Sequence, residues 1–309
     1  MVRLFDSHAH LISGDRQTYP PGLLRGAGGF AQVDYTVTAE ELLAEMDRHG
    51  VVRACAVQRG HLYGYDNRYV IDASLAHPDR LACVVILDAQ DPATPGQLRH
   101  MVEKQGVKGL RLAQTRIDVY DTAWMNSPAA METWATAAAL GIPVAIIFFR
   151  RHLAYGLAAL EVIAQLHPDL PIIVDHSGTP YNAANYEVGW YRDHGLSNAL
   201  PGPPDFGIDD TIGRLARYPN VHVKITEIVF DRLADGGVPP ARFVRRLADA
   251  FGADRLMWGS DIGQSDAPYA VKAAMARAAA AELTSQEQDD FLRGTGDRLY
   301  FARPSEAPR

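Results

Sequence analysis

Two histidines one residue apart end a short apolar run near the start of the chain, in Phe5-Asp6-Ser7-His8-Ala9-His10. Alternate side chains of a strand share a face, so His8 and His10 would present both imidazoles together. Such a pair can ligate a metal or polarise a substrate carbonyl. A second run, Ile172-Ile173-Val174-Asp175-His176-Ser177-Gly178, stays apolar until it delivers an acid and a histidine, where an unpaired polar group would be costly to bury. A third, Arg255-Leu256-Met257-Trp258-Gly259-Ser260-Asp261, ends on a carboxylate suited to general-base work on water or to metal ligation. The plainer alternatives are surface histidines, polar groups that satisfy a strand end, and a helix N-cap at Asp261.

Eight short apolar or β-branched runs can carry these groups: Arg3–His8, Val51–Val57, Leu81–Leu87, Val107–Leu112, Val144–Phe149, Pro171–His176, Val221–Thr226 and Leu256–Asp261. Each precedes a segment of helical periodicity, the pattern of βα units feeding a parallel sheet. Eight is the number that closes a (β/α)8 TIM barrel, although an open doubly wound sheet alternates in the same way. Thr38-Ala39-Glu40-Glu41 opens one helix as a capping box and Gly50 stops it. Ser127-Pro128 starts another, running through Met131–Leu140 to Gly141. Two connections, Ser13–Val37 and Ser177–Asp209, are long enough to be functional loops, and both follow strand ends where a barrel builds its site.

The 309 residues, 47% hydrophobic and 22% charged, can bury a large core, and no linker divides them, so one domain over residues 1–309 is expected. A net charge of -7 without a basic stripe speaks against nucleic acid. Cys55 and Cys83 fall in apolar runs and read as buried thiols, which excludes a disulfide framework. Neither an export signal nor an apolar run near the ~20 residues of a membrane span is encoded, so a cytoplasmic protein is expected. Barrel exteriors often pair, which admits a homodimer. His61, His100, His167 and His194 are isolated and read as solvent-facing residues or caps.

Arg111 and Arg116, at and just beyond the fourth strand, suit a substrate carboxylate gripped by paired N–H donors. Tyr65 and Asn67 in the second loop are further candidates for substrate contact. Tyr19, Phe30, Tyr35, Tyr63, Tyr181 and Tyr186 would suit a ring-bearing ligand or simply pack their loops.

His-x-His on the first strand, His176 after the sixth and Asp261 after the eighth together resemble the amidohydrolase superfamily of (β/α)8 barrels. The closer resemblance is to its branch of 2-pyrone-4,6-dicarboxylate and sugar-lactone lactonases. Asp66-Asn67-Arg68, Gly109-Leu110-Arg111, Val174–Gly178, Val223-Lys224-Ile225-Thr226, Trp258–Asp261 and Arg298-Leu299-Tyr300 carry it, in order along nearly the whole chain. The resemblance implies a hydrolase that opens a cyclic ester. Asp261 would activate water, His8, His10 and His176 would donate to the carbonyl oxygen, and Arg111 and Arg116 would anchor a small-molecule lactone.

Metal-dependent superfamily members place a further histidine on strand five, and Val144–Arg151 offers none. A reaction with no required cofactor is therefore the favoured expectation. If zinc or manganese binds, His8, His10 and Asp261 are the expected ligands, with Glu227 as a further candidate or else a salt-bridge partner. Two polar residues of the pyrone enzyme's pattern are replaced here by Thr179 and Gln264, which implies a less acidic or larger lactone. The alternatives are a metal-dependent nonoxidative decarboxylase and a non-catalytic binding barrel.

Overall fold

The computed structural model describes residues 2–22, 33–113, 122–148, 153–178, 195 and 200–302. Eight strands, β1 Leu4–His10, β2 Val51–Val57, β3 Leu81–Ile86, β4 Val107–Ala113, β5 Val144–Ile147, β6 Ile172–Val174, β7 Val221–Thr226 and β8 Leu256–Gly259, form one sheet in sequence order. Each pairs in parallel with the next. Their outer faces pack on the surrounding helices, where Trp134, Phe230 and Phe243 are fully covered. The fold is a (β/α)8 barrel. The expected helix after Thr38 runs Ala39–His49 with its capping box complete and Gly50 in the left-handed region. That after Ser127 runs Pro128–Leu140.

The barrel interior is plugged at its N-terminal end by Phe5, Cys55, Val57, Ala82, Val84, Ala145, Ile173 and Met257, together with Tyr300. Phe5 stacks on Tyr300 at 6.2 Å, and a Cβ on Gly109 would come within 3.1 Å of the Tyr300 ring. Thus two segments singled out in the sequence, Gly109-Leu110-Arg111 and Arg298-Leu299-Tyr300, meet at the barrel floor. Above the floor, alternation turns Arg111, Asp175 and Lys224 inward, because their neighbours Leu110, Leu112, Val174, Val223 and Ile225 belong to the outer core.

Strand β1 breaks that alternation once. Leu4 and Ala9, five residues apart, both pack outward, and the register against β2 shifts between Asp6 and Ala9. One extra residue is absorbed there as a bulge, which is how Phe5 and the histidines all face inward. Asp6 faces outward and seals the ring: Oδ1 accepts the N–H groups of Ser260 (2.8 Å) and His8 (3.1 Å), and Oδ2 accepts the Tyr269 hydroxyl (3.0 Å). Asp261 N–H to His8 O (2.8 Å) and His10 N–H to Ile262 O (2.9 Å) complete the β8–β1 seam.

Candidate active site

The strand ends bring five buried titratable residues together at the C-terminal face. His8 is central, its ring centroid 4.9 Å from those of both His10 and His176. Its Nε2 stands 3.7 Å and His10 Nε2 3.4 Å from Asp261 Oδ1, while His8 Nδ1 stands 3.6 Å from Asp175 Oδ1.

Strands β6 and β8 end earlier than the sequence suggests, at Val174 and Gly259. The reason is backbone conformation: His176 (φ 53°), Ser177 (φ 58°) and Asp261 (φ 51°) adopt the left-handed region. For non-glycine residues this costs energy and is retained mainly where function needs the resulting geometry. Gly259 permits the closest approach, since a Cβ there would sit 2.6 Å from His8 Cβ.

Below the histidines lies a charged layer. Arg111 Nε donates to Asp175 Oδ2 at 2.7 Å, and Lys224 Nζ is 3.3 Å from Asp175 Oδ1. Burial alone would raise the Asp175 carboxyl, but Lys224, His8 and Arg111 outweigh it and hold it well below the usual carboxylate range. Burial opposes ionisation of Asp261 too, and contact with His10 and the fields of His176, His8 and His10 overcome it, so its pKa is lowered. Burial pushes His176 down to about 4 and His8 well below an ordinary imidazole. At neutral pH the site therefore holds two carboxylates and uncharged His8 and His176.

The proton positions follow from the partners. His10 Nδ1 faces the Val57 carbonyl at 2.9 Å, an acceptor, so neutral His10 carries its lone pair on Nε2. His176 Nε2 faces Arg111 Nη2 at 3.4 Å, a donor, which puts the ring proton on Nδ1 against Thr226 Oγ1 at 2.6 Å. His8 Nδ1 faces the Asp175 carboxylate, leaving Nε2 bare as well. Neither ring nitrogen of His8 and neither oxygen of Asp261 has a hydrogen-bond partner among the described residues. The Nε2 lone pairs of neutral His8 and His10 and the Asp261 carboxylate, which converge without a donor between them, suit a cation.

Donor atoms of His8, His10 and Asp261 all lie within 4.8 Å of one another, and two imidazoles with a carboxylate fit zinc or manganese. The His8, Asp175 and His176 atoms are equally close, but Arg111 and Lys224 already neutralise Asp175. Glu227 stands outside both groups. It begins the helix Glu227–Asp235, is 3% exposed, and its Oε2 has no hydrogen-bond partner among the described residues. Burial raises its carboxyl to about 7, against the opposing pull of Lys272.

A family model described as Amidohydrolase matches residues 5–302. The chain belongs to this family. It is 26% identical over 227 residues to an L-fucono-1,5-lactonase of Burkholderia ambifaria, which covers 72% of this chain and 67% of that protein. Its fold resembles that of a probable 2-pyrone-4,6-dicarboxylic acid hydrolase from Acinetobacter baumannii with citric acid bound (TM-score 0.69, 18% identity, 96% and 98% of the two chains). It also resembles 5-carboxyvanillate decarboxylase from Sphingomonas paucimobilis (TM-score 0.62, 16% identity, 97% and 99%).

In this amidohydrolase several side chains assigned to substrate are otherwise occupied. Arg111 is paired with Asp175 as described. Asn67 uses both Nδ2 protons on the Tyr65 and Ile86 carbonyls (3.0 and 2.9 Å) and its Oδ1 on the Ile86 N–H (2.8 Å), so it pins the second loop to β3. The Tyr19 and Tyr63 hydroxyls bond Asp72 and the Ser13 N–H, which is loop packing. Tyr65 is 37% exposed in the loop after β2. Arg116, Phe30, Thr179, Tyr181, Tyr186 and His194 lie outside the described residues.

Two residues not assigned to the site belong to its surroundings. His61 feels the charges of Arg111, His10, Arg59 and Asp261, and burial lowers it to about 4, unlike a solvent-facing histidine. Arg59, two residues beyond β2, is 5% exposed near Asp261 and Tyr35. Neither lies in a motif; the signal available was position at the end of a barrel strand. No helix among the described residues is long and apolar enough to cross a membrane.

Proposed function

We propose that this amidohydrolase opens a lactone ring by hydrolysis, within one barrel domain. The observation that carries the reading is the convergence of ionised Asp261 with the bare Nε2 atoms of His8 and His10 on the β8–β1 seam. Asp261 accepts a proton from water as the water oxygen adds to the acyl carbon. The acyl C–O ring bond then breaks, and the proton held on Asp261 passes to the departing ring oxygen, so protons balance over the cycle. A divalent ion held by His8, His10 and Asp261 would polarise the carbonyl and acidify the attacking water.

This departs from the sequence reading in one respect. In this proposal His8 and His10, if neutral, turn Nε2 lone pairs toward the mouth, and N–H donation to the carbonyl oxygen is not assigned to them. The lactonase relative is 26% identical over 72% of this chain and 67% of its own length, against 16% for the decarboxylase, which favours ring opening over decarboxylation. The test is proton release from a panel of aldono-1,5-lactones, alongside CO2 release from hydroxybenzoates. Lactone opening that Asp261→Asn lowers by about a thousandfold or more is expected for loss of the base. Release of CO2 without lactone opening would overturn the reading in favour of a lyase.

A further inference from the structure

Arg111 is engaged within the barrel. Its Nε is committed to Asp175 at 2.7 Å and its Nη2 faces His176. A second buried guanidinium near Asp261 is that of Arg59, carried by the loop after β2. Its Nε donates to Gln264 Oε1 at 3.3 Å, and Gln264 lies three residues beyond Asp261. The Tyr35 hydroxyl, itself bonded to Gly263 O at 3.0 Å, lies against the same guanidinium. Its Nη1 is buried and has no acceptor among the described residues.

A buried cationic N–H without an acceptor is costly, so beside a candidate active site it calls for a partner that completes it. Gln264 holds the guanidinium at Nε, which orients Nη1 instead of leaving it free to swing. From the proposed lactonase reading, and going beyond it, we infer that Arg59 docks an oxygen substituent on the lactone ring remote from the acyl carbon. A ring hydroxyl or a ring carboxylate offers that oxygen. Arg59 is thus a specificity-determining residue, and unsubstituted lactones leave its Nη1 unpaired.

Steady-state hydrolysis by wild type, Arg59→Met and Arg59→Lys is to be compared on a polyhydroxylated aldono-1,5-lactone, a carboxylated δ-lactone and δ-valerolactone. Arg59→Met is expected to raise KM for an oxygen-bearing lactone, relative to δ-valerolactone, by about tenfold to a hundredfold, the worth of a charge-assisted hydrogen bond. The change in kcat should be smaller, and Arg59→Lys should recover part of the selectivity. Whether the hydroxylated or the carboxylated lactone loses its advantage identifies the substituent. Equal losses on all three lactones would overturn the inference and leave Arg59 a structural residue.

If wild type opens no lactone, the lactonase reading fails independently. Calorimetric binding of an aldonate and of 5-hydroxypentanoate to the intact protein then tests Arg59 without turnover. A preference for the aldonate that Arg59→Met abolishes supports the docking role. Equal affinities, or no binding of either acid by wild type, overturn it. Matched melting curves for the two variants separate selectivity from loss of fold.

Discussion

Arg111 Nε and Asp175 Oδ2 meet at 2.7 Å inside the barrel, joining β4 to the residue that follows β6. Lys224 from β7 approaches the other carboxylate oxygen at 3.3 Å, and His8 from β1 lies beside it. One carboxylate therefore ties four of the eight strands beneath His8, His10 and His176. Removing it strands two cations in the interior. Asp175→Ala should destabilise the fold by about 3–5 kcal/mol, as expected when one partner of a buried pair is lost. Lys224→Met should cost less, because Asp175 keeps Arg111. Urea unfolding of both variants checks the order, and a larger loss in Lys224→Met would refute this account of the layer.

The seam between β8 and β1 makes a separate prediction. Asp6 accepts from two backbone N–H groups and the Tyr269 hydroxyl. Asp6→Ala leaves these buried donors unsatisfied, at about 1–3 kcal/mol each for those that find no water. Asp6→Asn retains an acceptor at Oδ1, and Tyr269 can turn its hydroxyl to accept from the new amide. Denaturant midpoints should therefore fall markedly for Asp6→Ala and only slightly for Asp6→Asn. Equal losses would mean that charge, not hydrogen bonding, closes the ring.

Much of this arrangement was legible in local pattern. Eight strand signals in order and the shared face of His8 and His10 hold in the structure, although the bulge after Asp6 passes unnoticed, because a one-residue slip leaves composition unchanged. The ends of β6 and β8 were placed too late. Nothing in the residue types of His176 or Asp261 announces left-handed backbone. Partnership is the least visible property: the Asp175 partner of Arg111 is 64 residues away, and the partners of Asn67 are backbone groups of Tyr65 and Ile86, which residue types do not reveal. Arg59 sits in Gln58-Arg59-Gly60, which carries no motif.

The acceptor-rich cluster of His8, His10 and Asp261 makes a metal prediction that is independent of substrate. Zinc or manganese added to chelator-treated protein should raise Tm, since an ion that binds the native state alone stabilises it by mass action. Asp261→Asn should abolish the increment, and His176→Ala should retain most of it, because His176 belongs to the group that Arg111 and Lys224 crowd. A wild type whose Tm ignores both ions would remove the metal from the proposal and leave Asp261 as the sole activator of water.

Glu227 yields a pH signature. Burial lifts its carboxyl from an ordinary 4.5 to about 7. A group with a raised native pKa binds its proton more tightly in the folded state, so its contribution to stability is greatest below pH 4.5. That contribution declines as pH rises from about 4.5 to about 7, and is constant above. Glu227→Gln cannot ionise and should escape the decline. In chelator, the variant should match wild type near pH 4 and exceed it by about 2 kcal/mol at pH 8, somewhat less than the full shift converts to because Lys272 and solvent remain within reach. Chemical denaturation at the two pH values measures the difference. A variant no more stable than wild type at pH 8 would mean that the Glu227 carboxylate finds a compensating partner on ionisation, with Lys272 as the nearest cation on its face.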